Sequence, residues 1–302
     1  MSFASEAKKE IAASTPDRAC CRVAQIYGML ECGHAFSLQE ISLQTEQEAI
    51  ADVYDRLVAR IGGIPRPTRS QLRRRQLLHH SAVEDPAQRM ALLERFGHSG
   101  GELSLRLNRA NLDCEACARA YLRGAFLVCG AVTDPEHDYH LEFAVPHYNL
   151  SRDIAALLRE WNFPAKITTR GGAHVVYIKE SERIEDCLTF LGATKASLEL
   201  MGVKMVKSIR NDTNRRLNFE TANMDKTAQA AVAQMEALAR IEATCGLIAL
   251  PEELREVARL RMANPDLSLR DFGALMEPPL SRSGVNHRLQ RILKFAENLD
   301  EE

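Results

Sequence analysis

Residues 117–130 read CARAYLRGAFLVCG, and residues 20–33 read CCRVAQIYGMLECG. The two segments align at an offset of 96 residues, which places Gly28 opposite Gly124 and Cys21 opposite Cys117. Each segment has the composition of a helix with a glycine in its middle, where glycine costs about 1 kcal/mol relative to alanine. A close approach between two helix backbones explains such a glycine, because no Cβ atom stands between them. The sequence therefore predicts an internal repeat whose two helices pack against each other.

Each of these helices is followed by the same order of elements. In each copy, alternation of apolar and polar residues predicts strand, at 36–43 and 139–145. Apolar residues at helical spacing then predict a helix, at 46–61 and 150–162. Two further strands, at 165–169 and 174–178, flank Gly171-Gly172, which is typical of a hairpin turn. We therefore expect an α+β fold in which the order helix, strands, helix, strands, helix occurs twice.

Beyond about residue 194 the strand signal disappears. Residues 204–247 read as a helix interrupted near 211–218, and three shorter helices follow, at 252–263, 268–276 and 281–299. Prolines just past the first two of these are helix stop signals. The predicted domains are a repeat domain over 1–195 with halves of about 1–110 and 111–195, a helical linker over 196–248, and a small all-α helix-turn-helix domain over 249–302.

Composition is typical of a globular protein. Its 302 residues allow roughly two domains of about 100–200 residues each, and a hydrophobic content of 45% is enough to form their cores. The first ten residues lack the apolar core of a secretory signal, and no stretch approaches the roughly 18 apolar residues of a membrane span. We therefore expect a soluble cytoplasmic protein without membrane contact. The 39 basic and 41 acidic residues nearly cancel, so a surface that binds nucleic acid requires local segregation of charge.

The last fifty residues contain the strongest functional signal. Ser268 and Asp271 form a capping box before a short helix, in which Phe272, Leu275 and Met276 are expected to face inward. The final helix has an apolar stripe with steps of four and three residues, at Val285, Leu289, Ile292, Ala296 and Leu299. Its other side is polar and has no acidic residue before Glu297.

That polar side is typical of a recognition helix in the major groove. Asn and Gln bind adenine through paired hydrogen bonds, Arg binds guanine, and serine hydroxyls hold phosphates. An ordinary solvated helix would have the same apolar stripe, but the order of short helix, turn and acid-free helix favours binding to double-stranded DNA. The predicted contacts are Ser268, Ser281, Arg282, Ser283, Asn286, His287, Arg288, Gln290, Arg291 and Lys294.

A second basic stretch covers residues 66–76, with five arginines and no acidic residue. A ribbon of arginines can lie along a phosphate backbone, but charge on an edge strand also protects against aggregation, and both interpretations stay open. The predicted DNA contacts in this stretch are Arg66, Arg69, Arg73, Arg74 and Arg75.

Eight cysteines are too few for a disulfide scaffold in a chain of this length. Two pairs stand at the starts of the repeated helices, Cys20-Cys21 and Cys114-x-x-Cys117. If those helices pack in parallel, four thiolates could meet at a tetrahedral zinc ion. A single C-x-x-C is weak evidence, however, and the other pair is adjacent, so buried thiols are favoured. No cofactor, metal ligand or catalytic residue is predicted, since the sequence also has no G-x-S-x-G, H-E-x-x-H or P-loop motif.

The paired glycine helices resemble those of the LAGLIDADG homing-endonuclease fold, in which two pseudo-symmetric αββαββα halves form a saddle on DNA. In that family each motif helix ends with an acidic residue that binds a metal ion. The corresponding positions here are Cys129 in the second copy and Gly33 in the first, with Glu31 two residues earlier. Without a carboxylate pair the site lacks ligands for Mg²⁺, so the resemblance implies a DNA-binding saddle domain that is not an enzyme.

Three segments make the resemblance more specific. Residues 117–127, 218–223 (NFETAN) and 281–289 (SRSGVNHRL) resemble the WhiA family, which joins a degenerate LAGLIDADG domain to a C-terminal helix-turn-helix. The resemblance implies a nucleoid-associated transcriptional regulator linked to cell division, chromosome segregation and sporulation. Double-stranded DNA is the implied partner, a protein co-regulator is a candidate second partner, and the oligomeric state stays open.

Two other functions stay open at this point. One is an active site-specific endonuclease that uses carboxylates such as Glu31 or Asp134. The other is a protein-docking scaffold, in which only the C-terminal domain contacts DNA.

Overall fold

A computed structural model describes residues 2–73, 77–102 and 104–299, and of residues 72 and 73 the backbone alone. The chain forms two compact units with the boundary between Lys207 and Ser208. Within the described residues, the first unit combines helices with two antiparallel sheets, and the second unit is helical. The domain bounds expected from the sequence stay predictions.

The first unit contains one order of elements twice, after helix α1 (Phe3–Ala13). The first half comprises α2 (Ala19–Glu31), β1 (Ala35–Phe36), β2 (Ile41–Thr45), α3 (Glu48–Gly62), β3 (Thr68–Arg73), β4 (Leu77–Ala82) and α4 (Pro86–Arg95). The second half comprises α5 (Glu115–Cys129), β5 (Gly130–Val132), β6 (Leu141–Val145), α6 (Tyr148–Glu160), β7 (Lys166–Arg170), β8 (Ala173–Ile178) and α7 (Ser181–Leu191). The predicted pseudo-two-fold αββαββα arrangement is therefore confirmed.

Both sheets have the same topology. Their strand orders are β1-β2-β4-β3 and β5-β6-β8-β7, and every neighbouring pair is antiparallel. In β6, Leu141, Phe143 and Val145 are buried and the residues between them are half-buried, as expected for a sheet with one face on the core. Gly171 and Gly172 close the β7–β8 hairpin with φ values of 58° and 83°, which confirms the predicted turn.

The single strand predicted over residues 36–43 is wrong, because a turn separates β1 from β2. The N–H of Ser37 donates to the carbonyl oxygen of Glu40 at 2.9 Å, and the N–H of Glu40 donates to Oγ of Ser37 at 3.3 Å. A serine hydroxyl that bonds to nearby backbone favours a turn over a strand ladder. The alternating pattern of residues 36–43 alone did not indicate that this turn would replace part of the strand.

Helix α8 (Thr194–Thr244) is continuous, so the interruption predicted near residues 211–218 is wrong. The Asn, Asp and Thr residues of this segment each cost up to about 0.7 kcal/mol relative to alanine, but residues 203–244 include neither glycine nor proline. An ion pair between Arg216 and Glu220, one helical turn apart, spans the end of the polar segment. Polar residues alone therefore do not end this helix.

The second unit contains the C-terminal part of α8 and three further helices, α9 (Glu252–Ala263), α10 (Leu269–Ala274) and α11 (Arg282–Asn298). These three confirm the helices predicted at 252–263, 268–276 and 281–299, with small differences at the ends. The core of the unit joins Leu238 of α8, Val257 of α9, Phe272 of α10 and Leu289 of α11.

Helices α2 and α5 contact each other through their middle glycines. A Cβ atom on Gly28 would lie less than 3.0 Å from the carbonyl oxygen of Tyr121, and a Cβ atom on Gly124 would lie less than 3.0 Å from the carbonyl oxygen of Gln25. Only hydrogen fits at either position. The predicted close approach of the two backbones is therefore confirmed, and it lies in the middle of the first unit's core.

We expect Gly124→Ala to reduce the free energy of unfolding of the first unit by about 1–3 kcal/mol or more, because the added methyl group would overlap a backbone carbonyl. Chemical denaturation followed by circular dichroism measures this change. Gly202→Ala, on the exposed surface of α8, is the matched control: its Cβ meets no atom within 4 Å, so a gain of up to about 1 kcal/mol is expected. Equal stability of Gly124→Ala and the wild type would contradict a direct backbone contact.

Candidate nucleic-acid interface

Serine side chains cap both helices of the predicted helix-turn-helix. Oγ of Ser268 accepts from the N–H of Asp271 at 3.3 Å at the start of α10, and Oγ of Ser281 accepts from the N–H of Gly284 at 3.2 Å at the start of α11. Ser268 also donates to Oδ2 of Asp271 at 2.7 Å, so the two residues of the predicted capping box contact each other. Such caps contribute about 1 kcal/mol each and determine where the helices begin.

The apolar residues of α10 and α11 form the inner side of this unit. In α11 the predicted stripe is confirmed, since its first four members are at most 2% exposed and Leu299 is half-buried. In α10 and the residues just after it, Phe272 and Met276 are buried as expected, but Leu275 is 54% exposed, and its predicted inward position is wrong. The buried side of this turn is formed by Phe272, Gly273 and Met276, and at about 100° per residue Leu275 points away from the middle of that side.

The opposite side of α11 is open to solvent. We define the polar face of α11 as Ser283, Asn286, His287, Gln290, Arg291 and Lys294, all of which are exposed. At about 100° per residue, Ser283, Gln290 and Lys294 follow the middle of this face, and Asn286 and Arg291 stand at its two edges. Among the other predicted contacts, Ser268, Ser281 and Arg282 are exposed and Arg288 is half-buried.

Arg291 is held by an ion pair within the unit. Its Nη1 lies 2.5 Å from Oε1 of Glu253 on α9, and the two side chains are 42% and 50% exposed. An exposed pair of this kind contributes about 0–1 kcal/mol, so it directs the guanidinium toward α9 without burying it. This role of Glu253 could not be predicted from the sequence, because nothing local connects residues that are 38 positions apart.

Arg261 of α9 is a second residue whose role was not predicted from the sequence. Its side chain is buried, Nη1 donates to the carbonyl oxygen of Leu267 at 2.9 Å, and the guanidinium lies 6.0 Å from the ring centroid of Phe272. Burial lowers the pKa of Arg261. This side chain ties α9 to the segment before α10, so it positions the helix pair and does not take part in the exposed face.

The arginines of residues 66–76 differ in their surroundings. Arg66 is exposed, just before β3. Arg69, on β3, lies 2.8 Å from Oδ1 of Asp52 and 2.5 Å from Oδ2 of Asp55, both on α3. These two carboxylates neutralise Arg69 and make it a link between strand and helix, and its DNA contact stays a prediction. The side chain of Arg73, and Arg74 and Arg75 entirely, lie outside the described residues.

Glu31, the last residue of α2, is enclosed in the core. Its side chain is fully buried, and Oε2 accepts from the hydroxyl of Tyr121 at 2.6 Å. Oε1 lies 3.6 Å from Nε2 of His98, which is itself hydrogen-bonded to the hydroxyl of Tyr27 at 2.8 Å. Burial raises the pKa of Glu31 to about 8, and the charge of Asp153 raises it too, against the lowering effect of the Tyr121 and Tyr27 hydrogen bonds. The carboxyl is therefore mostly protonated at neutral pH.

A pair of thiols occupies the ends of the two glycine helices. The thiol of Cys32, the residue before Gly33, interacts with that of Cys129, and this interaction together with burial raises the pKa of Cys32 well above its usual value. The position opposite Cys129 is therefore filled by Cys32 rather than by Gly33. Within the described residues, neither Glu31 nor Asp134 belongs to a group of three or more side chains that could hold a metal ion.

The raised pKa of Glu31 predicts a specific pH dependence. In the unfolded chain this carboxyl ionises near pH 4.5, but in the folded protein it ionises near pH 8, so the unfolded state binds fewer protons between these values. The free energy of unfolding should therefore fall as pH rises through this window, by at most about 1.4 kcal/mol per pH unit from this group. Glu31→Gln cannot titrate, so the wild type should lose stability relative to this variant between pH 5 and 8.

Urea denaturation of the two proteins at several pH values measures this difference. Comparing the two curves isolates Glu31 together with its interaction with His98, whose pKa is lowered by burial and which lies 3.6 Å away. Parallel curves across the window would show that the buried carboxyl is already ionised in the folded state.

The described helices include none that combines the length and the apolar character needed to cross a membrane.

Two family models match the chain. The WhiA C-terminal HTH domain matches residues 213–296, and the WhiA LAGLIDADG-like domain matches residues 118–210. Among relatives, the "Probable cell division protein WhiA" of Heliobacterium modesticaldum is 36% identical over 313 residues, which cover 98% of this chain and 96% of the relative. The protein of the same name from Desulfitobacterium hafniense strain Y51 is 37% identical over 317 residues, which cover 100% and 98%.

A solved structure has the same fold. The crystal structure of full-length DUF199/WhiA from Thermatoga maritima matches with a TM-score of 0.61 and 23% sequence identity, over 99% of this chain and 98% of that chain. The identity to the two relatives over nearly the full length, the two family models and this fold agree with one another. The chain therefore belongs to the WhiA family.

Proposed function

We propose that this chain is a sequence-specific, DNA-binding transcriptional regulator in which α11 reads base edges in the major groove. The observation that carries the proposal is the polar face of α11, which is capped at its start, open to solvent and free of acidic residues. It lies opposite the buried residues Val285, Leu289, Ile292 and Ala296, so the side chains of α11 that are open to solvent are polar ones suited to DNA. The match to the WhiA helix-turn-helix domain supports this reading.

The proposed contacts divide by chemistry. Asn286 and Gln290 have amide groups that can pair with the edge of adenine, so they are proposed to specify sequence. Ser281, Ser283 and the free amides of the first turn are suited to a phosphate, which fixes the position of the helix without reading sequence. Lys294 adds a positive charge farther along the same face.

Further phosphate contacts are proposed for the first unit. Arg66 is exposed and its own segment has no acidic residue, so it is the described arginine best placed to meet a phosphate. The same role for Arg73, Arg74 and Arg75 rests on the sequence alone.

The proposed cellular role follows the named relatives. Both carry the name of a cell division protein, so we propose that the DNA targets of this chain include genes for cell division. On the basis of family resemblance, we extend the proposal to a role in chromosome segregation and sporulation, to a location on the nucleoid in the cytoplasm, and to a protein co-regulator as a second partner. Sequencing the chromosomal fragments that co-purify with the intact protein identifies the operator and tests these assignments together.

Asn286→Ala and Gln290→Ala are each expected to weaken binding to the cognate duplex by about 1–3 kcal/mol, which is roughly 5- to 150-fold. Binding to a scrambled duplex should change little, since base contacts contribute to the cognate complex alone. Fluorescence anisotropy at fixed salt measures both affinities. If either variant kept the wild-type ratio of cognate to scrambled affinity, that side chain would not read a base.

Lys294→Ala is expected to weaken binding to both duplexes and to reduce the slope of log affinity against log salt by about 1. Arg259→Ala, which removes one positive charge from the exposed surface of α9 in the same unit, is the matched control and should leave the slope unchanged. Equal slopes for Lys294→Ala and the wild type would remove this lysine from the interface.

We also propose that the first unit does not cleave DNA. The carboxyl of Glu31, the last residue of α2, is enclosed by Tyr121, Tyr27 and His98, and thiols stand at the positions where the endonucleases have acidic residues. Supercoiled plasmid that contains the operator should stay intact with Mg²⁺ or Mn²⁺. Nicking that requires the metal and is lost in Glu31→Gln would support an active endonuclease instead.

A further inference from the structure

The starts of α2 and α5 bring four thiols together in the first unit. Cys20 and Cys21 lie in the first turn of α2, Cys114 is the N-cap residue of α5, and Cys117 lies in the first turn of α5. The four Sγ atoms all lie within 4.8 Å of one another. Sγ of Cys114 is 3.7 Å from those of Cys20 and Cys21 and 3.5 Å from that of Cys117, and the Cys21 and Cys117 sulfurs are 4.0 Å apart.

These separations are those of ligands around one small ion. Zn–S bonds of about 2.3 Å in tetrahedral geometry place the sulfurs about 3.8 Å apart. A disulfide would bring one pair to about 2.05 Å, and all four cysteines are free thiols. An iron–sulfur cluster, in which the thiolates bind different iron atoms, requires a wider arrangement than this one.

The surroundings are suited to negative charge. Arg18 lies beside the cluster, since it lines the same surface cavity as Cys21, and it brings a positive charge there. The N-termini of α2 and α5 both lie at the cluster, and their free amides favour anions. Four thiolates around one divalent cation have a net charge of about −2, which these groups offset.

The cluster is also accessible. Cys20 and Cys114 are half-buried, whereas Cys21 and Cys117 are buried, so an ion can enter from the exposed side and be held from the inner side. A surface cavity lined by Arg18 and Cys21 opens beside the cluster.

We propose that Cys20, Cys21, Cys114 and Cys117 bind one Zn²⁺ ion as a structural site that joins the two halves of the first unit. The adjacent pair Cys20-Cys21 does not have the spacing of a typical zinc motif, which is why the sequence favoured buried thiols. The packing of α2 on α5 supplies the convergence that neither pair has alone. The ion holds the starts of the two helices together, two turns before the contact between Gly28 and Gly124.

Metal content of the intact chain tests this site directly. Protein purified under reducing conditions without chelators should contain one zinc ion per chain by mass spectrometry with inductively coupled plasma. Cys114→Ser and Cys117→Ser should each lose most of this zinc. Serine at position 114 is a favourable N-cap residue, so the first variant keeps the start of α5 intact. Cys245→Ser, at an exposed cysteine of the second unit, is the matched control and should keep the full zinc content.

A second measurement needs no variant. Cobalt exchanged into the wild-type chain should give the visible bands of a tetrahedral thiolate site, and a strong chelator should lower the melting temperature of the zinc-loaded protein. A chain purified without metal whose eight thiols are all reduced when titrated after denaturation, a disulfide between the two pairs, or stoichiometric iron in place of zinc would each overturn the assignment. Loss of DNA binding in Asn286→Ala has no bearing on these readouts, so this proposal and the proposed function fail separately.

Discussion

The contact between the backbones of α2 and α5 is the constraint on which the first unit depends. Because Gly28 and Gly124 have no side chain, each helix can place a carbonyl oxygen where a Cβ atom would otherwise be. In each half the strands of the sheet come after this helix in the chain, and the two sheets have the same topology. The same packing brings thiols together at both ends of the pair, with Cys20, Cys21, Cys114 and Cys117 at the starts and Cys32 and Cys129 at the ends.

At the end of this helix pair the carboxyl of Glu31 is enclosed in the core. Glu31 accepts a hydrogen bond from Tyr121, and burial raises its pKa to about 8. The second unit has the opposite character, because the polar face of α11 is exposed and without acidic residues. The proposed division of labour follows from this difference: the first unit provides a rigid frame and phosphate contacts, and α11 reads the bases.

Sequence patterns predicted the features that depend on local chemistry. The serine cap at Ser268 and the apolar stripe of α11 follow from residues close together in the chain, and the contact between α2 and α5 was predicted because the internal repeat places a glycine in the middle of both helices. The features that were missed depend on distant partners: Glu253 for Arg291, Asp52 and Asp55 for Arg69, and Tyr121 for Glu31. The convergence of the four cysteines belongs to the same class, since it requires the packing of two helices that are far apart in sequence.

The central claim, that the start and polar face of α11 contact DNA, is tested most directly by hydrogen exchange. Amides in the first turn of a helix have no intrahelical partner, so those at residues 282–283 should exchange quickly in the free protein and slow when a phosphate occupies the helix start. Mass spectrometry of the full chain with and without its operator should show slowed exchange over residues 281–290, with a smaller effect for a scrambled duplex at the same salt. Unchanged exchange over this segment, with protection confined to the first unit, would contradict the account.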